Sequence, residues 1–317
     1  MGKVRVGLCV AATALVLAAC TAGVDGTPVP AGEAPLTAAA LGDLTSVDPC
    51  SLTGPAAFAD VGSARMPGMP TFDDCRVTVA APDGHAYVWV GLLRDATTLR
   101  DDLEPRDRPG RGTTIGSLGG TCDAALVLTD GLALTAWAEP AYGSPLDDTT
   151  LCALTEGALR GAYQVLDGGR VEHWVPPVSS LAVLDACDVV MIRHVQAALD
   201  LDAVDETPFP AGHRCRWGAP DRDSPGVDVE FRVAESAEDV GVPAGTDAEL
   251  VGGRATWLVE HTDRTCTAVT EHVQFAPGAG THEYALLRVV TAPRRGRDGC
   301  AAAKQLAERV WPELPPL

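Results

Sequence analysis

The chain has 317 residues, 46% of them apolar, which is enough for the cores of two ordinary domains and too much for wholesale disorder. Its net charge is −19. An acidic surface of that size repels phosphate backbones and anionic lipid heads, so it argues against nucleic acid as a partner and against a basic membrane-binding patch.

At the N-terminus Lys3 and Arg5 precede an apolar run from Val6 to Ala19, which closes on Ala18-Ala19-Cys20. These are the parts of a secretory signal, and the run is shorter than the ~20 residues a spanning helix needs. The small-small-Cys tripeptide resembles the lipobox of bacterial lipoproteins. That resemblance implies a leader over residues 1–19, cleavage between Ala19 and Cys20, and a lipidated Cys20 (palmitate among its acyl chains). Loss of Lys3 and Arg5 with the leader makes the mature chain two units more acidic, at −21. Membrane attachment then rests on the acyl chains, and the expected location is the outer face of the cytoplasmic membrane. The alternative is a soluble secreted protein cut near Ala19. Residues 20–47, rich in Ala, Gly, Thr and Pro without periodicity, are expected to be a flexible tether.

Beyond Cys9 in the leader and Cys20, eight cysteines remain: Cys50, Cys75, Cys122, Cys152, Cys187, Cys215, Cys266 and Cys300. An even number in an oxidising compartment implies four disulfides. No C-x-x-C occurs, which removes zinc-ribbon and thioredoxin readings. The spacings expose a duplication: 25, 47 and 30 residues in the first half, 28, 51 and 34 in the second. Neighbouring residues agree. Val47-Asp48-Pro49-Cys50 matches Leu184-Asp185-Ala186-Cys187, Cys75-Arg76-Val77 matches Cys215-Arg216-Trp217, and Thr121-Cys122 matches Thr265-Cys266. Two tandem units follow, 48–166 and 181–317, joined by a linker over 167–180 that Trp174 and Pro176-Pro177 make stiff or packed.

Each unit is expected to open with an amphipathic helix after its first cysteine; in the second unit Ile192, Val195, Ala198 and Leu199 share a face. Alternating strands follow, Arg76–Val79 and Ala86–Val90 joined through Pro82-Asp83-Gly84. A second hairpin spans Ala124–Leu128 and Leu132–Ala138 around Asp130-Gly131, and in the second unit Thr267–Phe275 and His282–Val290 around Ala276–Gly280. A closing helix buries Leu154, Ala158, Ala162 and Val165, and in the second unit Ala303, Leu306, Ala307, Val310 and Trp311. The fold class is α+β: two tandem disulfide-stapled domains, each an antiparallel sheet packed against an N-terminal and a C-terminal helix. The duplication leaves three connectivities per unit. The simplest gives Cys50–Cys75, Cys122–Cys152, Cys187–Cys215 and Cys266–Cys300.

The Asp48-Pro49-Cys50 opening, the Cys215-Arg216-Trp217 strand, the lipobox and the paired later cysteines resemble an uncharacterised family of actinobacterial lipoproteins. The first unit has Val77 in place of the tryptophan and the second has Ala186 in place of the proline. The resemblance implies a fold similar to the PsbP-like sandwich and to extracellular sensor domains of mycobacterial serine/threonine kinases. It implies no catalytic residue.

Motifs for catalysis are missing: Ile115-Gly116-Ser117-Leu118-Gly119 lacks the first glycine of a nucleophile elbow, and there is no P-loop, dinucleotide fingerprint or H-E-x-x-H. No catalytic residue, metal ligand or cofactor is therefore assigned. Glu260-His261, Glu271-His272 and His282-Glu283 sit on neighbouring strands. Adjacent residues on a strand point to opposite faces, so cross-strand polar pairs are favoured over a metal site. Asp73-Asp74, Asp101-Asp102 and Asp147-Asp148 read as turn or cap residues. Arg106, Arg108 and Arg111, with Arg294, Arg295 and Arg297, make two basic loops that read as solvated arginines paired with nearby acids, the alternative being contact with an anion or a cell-wall polymer. Of the tryptophans at 89, 137, 217, 257 and 311, most are expected in the core, with one or two lining a pocket between sheet and helix.

The expected function is a non-catalytic, lipid-anchored envelope protein that binds a small-molecule, cell-wall or protein ligand, with a groove between the tandem domains as one route. An envelope hydrolase with scattered residues and a structural accessory subunit are the alternatives. A pocket of several hundred Å3 favours the first, and a cleft carboxyl or imidazole of perturbed pKa the second. Cys20→Ser is expected to move the protein out of the membrane fraction; unchanged membrane association would remove the anchor.

Overall fold

A computed structural model describes residues 34–317 apart from 100–101, 120–121, 220–223, 276–279 and 293–297. The leader, Ala19 and Cys20 lie outside the described residues, as do Asp101, Thr121, Arg294, Arg295, Arg297 and all of the Ala276–Gly280 turn except Gly280. In chain order the first half contains β1 (Ser63–Pro70), β2 (Cys75–Ala81), β3 (Gly84–Asp95), β4 (Leu103–Asp107), β5 (Thr114–Leu118), β6 (Ala124–Val127), β7 (Leu132–Pro140) and α1 (Asp148–Asp167). The second contains α2 (Ile192–Leu199), β8 (Glu206–Pro208), β9 (Arg214–Gly218), β10 (Gly226–Ala234), β11 (Glu249–Val251), β12 (Arg254–Thr262), β13 (Thr265–Gln274), β14 (His282–Val290) and α3 (Gly299–Val310).

Each half forms one seven-stranded antiparallel sheet. The first runs β1-β2-β3-β7-β6-β5-β4, and the second, taken from the equivalent edge, β8-β9-β10-β14-β13-β12-β11. Strand for strand these are the same order, so the duplication seen in the cysteines is a duplication of topology. The strands follow from alternation: in β2 Cys75, Val77 and Val79 point into the core while Arg76 and Thr78 point out. In β10 Val227, Val229, Phe231 and Val233 point in, and Asp228, Glu230 and Arg232 point out. Each sheet turns its apolar face to a closing helix. Asp147 caps α1 by accepting from Thr150 N at 2.8 Å, and Asp298 caps α3 by accepting from Cys300 N at 2.8 Å. The helices bury Leu154, Ala158, Ala162 and Val165, and Ala303, Leu306, Ala307 and Val310.

Two expectations need correction. The first half has no opening α-helix: Pro49–Leu52 and Pro55–Phe58 are short 3-10 turns instead. Pro55 cannot donate to a preceding carbonyl, and Gly54 before it favours an extended backbone, so a helix begun at Pro49 cannot propagate. The second half, without prolines there, forms α2, which packs against α3. The C-terminal part of the stretch expected to be a flexible tether, from Leu36 to Val47, is packed against the first half. Leu36, Leu41 and Val47 are buried in the first core, and Leu36 N donates to Arg111 O at 3.0 Å. Burying three large apolar side chains outweighs the freedom of that stretch.

The linker is tied at both ends. Trp174 N donates to Ser46 O at 2.7 Å, and Asp48 N to Glu172 O at 2.9 Å. At its far end Glu283, buried on β14, accepts from Ser180 Oγ at 2.6 Å and Leu181 N at 2.7 Å. Residues Pro35–Leu317 form one compact unit.

The disulfides are Cys50–Cys75, Cys122–Cys152, Cys187–Cys215 and Cys266–Cys300, closing 25, 30, 28 and 34 residues. In the chain-entropy model loops of this length each contribute roughly 3–4 kcal/mol. Non-reduced peptide maps are expected to show these four links, and Cys187→Ser with Cys215→Ser to lower unfolding free energy by about 3 kcal/mol; a Cys152–Cys187 link would contradict the pairing.

Candidate functional site

The halves meet at the turn between β1 and β2. Thr71 Oγ1 accepts from the N–H groups of Asp73 at 3.2 Å and Asp74 at 3.0 Å, and donates to Asp74 Oδ1 at 2.9 Å. The tight turn projects Phe72 out of its own half. Its ring is buried in the second core, 5.4 Å from Phe275 and 6.0 Å from Trp174, both edge-on. Gly91 leaves room for the turn: it sits at φ +133° in a bulge of β3, and a Cβ there would lie 2.8 Å from Asp73 O.

Asp73 Oδ1 lies 2.9 Å from Nδ1 of His213, whose ring is fully buried, and His213 Nε2 lies 3.3 Å from Ala182 O. Both ring nitrogens face oxygen atoms, an arrangement that favours the protonated ring. Burial opposes that charge, but the hydrogen bond and charge of Asp73 prevail and raise the His213 pKa. Asp73 and His213 are repeat equivalents, each two residues before an equivalent cysteine. The contact therefore sits where the two copies meet like position to like position, with opposite charges.

Beside this junction lies a cleft of about 280 Å3 whose walls are the outward faces of the two sheets. The first wall is a cross-strand row, Arg76 on β2 opposite Trp89 on β3, and Trp89 opposite Trp137 on β7. The indoles stack with centroids 5.6 Å apart and planes 11° from parallel. The Arg76 guanidinium lies 5.2 Å from the Tyr87 ring and 5.4 Å from that of Trp89. The facing wall carries Arg214, Glu230 and Arg232. Glu230 accepts from Arg232 Nε at 2.7 Å and Nη2 at 3.1 Å, and this charge is the main cause that lifts the Arg232 pKa above its usual value. Asp74, on the cleft wall, is pushed up to about 7 by burial, against the pull of its Thr71 hydrogen bond and of Arg232. The cleft continues into a hollow of about 150 Å3 over sheet two, sharing Arg214, Glu230, Arg232 and Val240. There His261 lies 3.0 Å from Thr267 Oγ1, its pKa lowered by burial and by Arg288.

The Glu/His cluster disperses as strand alternation requires. His261 faces the hollow, and Glu271 pairs with His282 at 2.8 Å near the surface. His272 is buried with Nε2 2.6 Å from Ser179 O and Nδ1 3.0 Å from Arg254 Nη1. Glu283 holds the linker. Among the described residues, the one group close enough to share a metal ion is Cys187, Glu206 and Cys215, whose sulfurs are bonded to each other. Of the paired acids, Asp147 caps α1 as expected, but Asp73 and Asp74 do more than make a turn. Arg106 pairs with Glu104 at 3.3 Å and Arg111 with Asp167 at 3.0 Å. Trp217 and Trp311 are core; Trp89 and Trp137 line a space between two sheets, not between sheet and helix. The sequence reasoning missed His213 and the outward charges of β9 and β10. Their signal was the alternation of Arg214 and Arg216 with Cys215 and Trp217, and of Asp228, Glu230 and Arg232 with Val229 and Phe231.

No protein-family model matches the chain, and no curated protein matches it. A solved structure, the di-domain ARO/CYC StfQ from the steffimycin biosynthetic pathway, aligns over 89% of this chain and 91% of that one at 8% identity. Its TM-score of 0.19 carries no argument about fold or activity.

The two raised pKa values set a pH dependence of one sign. Asp74 (3.8 unfolded, about 7 folded) and His213 (6.5 unfolded, higher folded) both bind protons more tightly in the folded state. Their contributions are complete below the unfolded values and are lost as pH rises through the folded ones. For Asp74 that is on the order of 4 kcal/mol between pH 4 and pH 7. Urea unfolding of Asp74→Asn is expected to show a flatter stability profile over that range; a profile parallel to the wild type would exclude the burial of Asp74 as its cause.

Proposed function

We propose that the protein is a non-catalytic, lipid-anchored envelope protein that binds a ligand in the cleft between its two repeats. The observation that carries this reading is the cleft itself. It has about 280 Å3 of space, a stacked Trp89–Trp137 pair on one wall and guanidinium and carboxylate groups on the other. The volume falls just below the ~300–1,000 Å3 usual for a small-molecule site, and the lining is richer in charged groups than is usual for one, with Trp89, Trp137, Leu92 and Val240 supplying its apolar surface. The walls are sheet faces held by disulfides, so the site is formed before the ligand arrives and little ordering is lost on binding. The lipobox resemblance, the actinobacterial lipoprotein family and its PsbP-like sandwich with flanking helices belong to the same proposal. Among the described residues no helix is long and apolar enough to cross a membrane.

One observation favours an enzyme: the Asp74 carboxyl held near 7 can donate a proton at neutral pH. Weighing against it, Thr71 already occupies that carboxyl as part of the turn.

Native mass spectrometry of the detergent-extracted full chain is expected to show a reproducible extra mass that is lost on denaturation and diminished at least tenfold in Trp137→Ala. A clean apo mass in the wild type would turn the reading towards a protein partner.

A further inference from the structure

The two core indoles use their N–H groups inside the fold: Trp217 Nε1 donates to Glu206 at 2.9 Å, and Trp311 Nε1 to Thr256 Oγ1 at 3.0 Å. Trp89 and Trp137 differ. They stand half-buried on the outward face of the first sheet, and among the described residues no hydrogen bond reaches either N–H. Their row is covered at one end only. Arg76 lies on the Trp89 side, while β6 begins at Ala124 opposite Ala136, so that ladder stops one residue short of Trp137. The next outward residue on β7 is Glu139, exposed, opposite Tyr87, and without a hydrogen bond or ion pair among the described residues. The first wall therefore offers aromatic surface, two N–H donors and a carboxylate acceptor, none of them with a protein partner.

The other charges at the cleft are already met. Asp73 faces His213, Asp74 accepts from Thr71, and Asp239 accepts from Ser236 N at 3.1 Å and Oγ at 2.8 Å. Glu230 grips Arg232, and Arg214 pairs with Asp228 at 3.3 Å. An anion finds these arginines engaged, on a chain whose net charge is −19. A cation drawn to Glu139 meets the Arg76 guanidinium over the neighbouring rings. Neither sign of charge is favoured. A neutral ligand can bond the remaining lone pairs and N–H groups of such pairs without separating them.

We infer that the cleft takes a neutral saccharide of one or two pyranose rings, with ring C–H groups against Trp137 and hydroxyls bonded to the free indole N–H groups, to Glu139 and to the ion pairs of the facing wall. This rests on the cleft being the binding site. A pyranose carries both kinds of surface the cleft presents: C–H groups on the faces of its ring, and round the rim hydroxyls that each donate and accept. The electron-rich face of an indole attracts such C–H groups. A lining that mixes indoles with planar carboxylate and guanidinium groups is too polar for an apolar ligand and suits a polyol. The volume of about 280 Å3 suits a ligand of this size.

Isothermal titration of the detergent-extracted full chain with maltose, cellobiose, trehalose and di-N-acetylchitobiose, beside benzyl alcohol, benzoate and benzylamine, tests this. At least one disaccharide is expected to bind about tenfold more tightly than any of the three non-sugars. Its affinity is expected to stay constant as salt rises, as that of an ion would not. Trp137→Phe, which keeps a ring and loses the N–H, is expected to weaken that sugar about fivefold, and Trp137→Ala further. Glu139→Ala is expected to cost about fivefold with the ligand-free melting temperature unchanged, because Glu139 holds no other residue in place. No binding of any of the four sugars at about tens of millimolar, tighter binding of benzoate or benzylamine, or a sugar affinity unchanged in Trp137→Ala or in Glu139→Ala overturns the inference. The cleft reading fails separately. A non-carbohydrate mass that is lost in Trp137→Ala leaves it standing, and a clean apo mass with no sugar binding removes both.

Discussion

The structure depends on one junction, the buried turn at which residues 72 to 74 of the first repeat enter the second. Phe72 fills a place in the second core, and Asp73 meets the buried His213 ring and raises its pKa. Phe72 gives the rings of Trp174 and Phe275 a common partner, and Asp73 gives the His213 ring a hydrogen-bonded carboxylate. An ion pair of this kind, taken out of water on both sides, adds little net stability over an apolar pair of the same shape. Removing one partner is far more costly, which makes the contact specific to this docking of the repeats. The disulfides bear on the same place, since Cys75 and Cys215 directly follow Asp74 and Arg214 and tie both segments back to their own cores.

From that junction the cleft follows. Two sheets of identical strand order, joined near the start of their second strands, turn outward faces towards each other. An outward sheet face on a solvated protein is normally polar, and β9 and β10 obey with five charged residues in alternation. The first sheet departs from this by presenting Trp89 and Trp137. Large aromatics on the non-core face of a sheet need shelter, and they obtain it from each other, from Arg76 and from the facing half. Because backbone ladders and disulfides fix both walls, the cleft depends little on loop conformation.

Cysteine spacing and strand alternation made the repeat, the four bridges and the closing helices legible from sequence, because each is a local or nearly local pattern. The helix expected after Cys50 failed for an equally local reason, the prolines at 49 and 55, and the burial of Leu36 and Leu41 failed because a short apolar segment in a Pro- and Ala-rich stretch carries no period. The cleft was not legible. Asp73 and His213, and Trp89 and Arg214 across the cleft, come together only through docking of the halves, which sequence alternation within one half does not describe. What sequence does hold is which side chains point outward; which outward faces then meet is a property of tertiary structure.

The comparison of the two copies explains why the cleft is asymmetric. If two identical chains docked about a two-fold axis at this turn, position 73 would meet its own copy, and like charges or two neutral groups would face each other. Joining the copies in one chain lifts that constraint, and aspartate now stands against histidine at equivalent positions. The same freedom gives the cleft unlike walls, stacked indoles on the first sheet and guanidinium and carboxylate groups on the second, where a two-fold pair of identical chains would have to repeat one wall opposite itself.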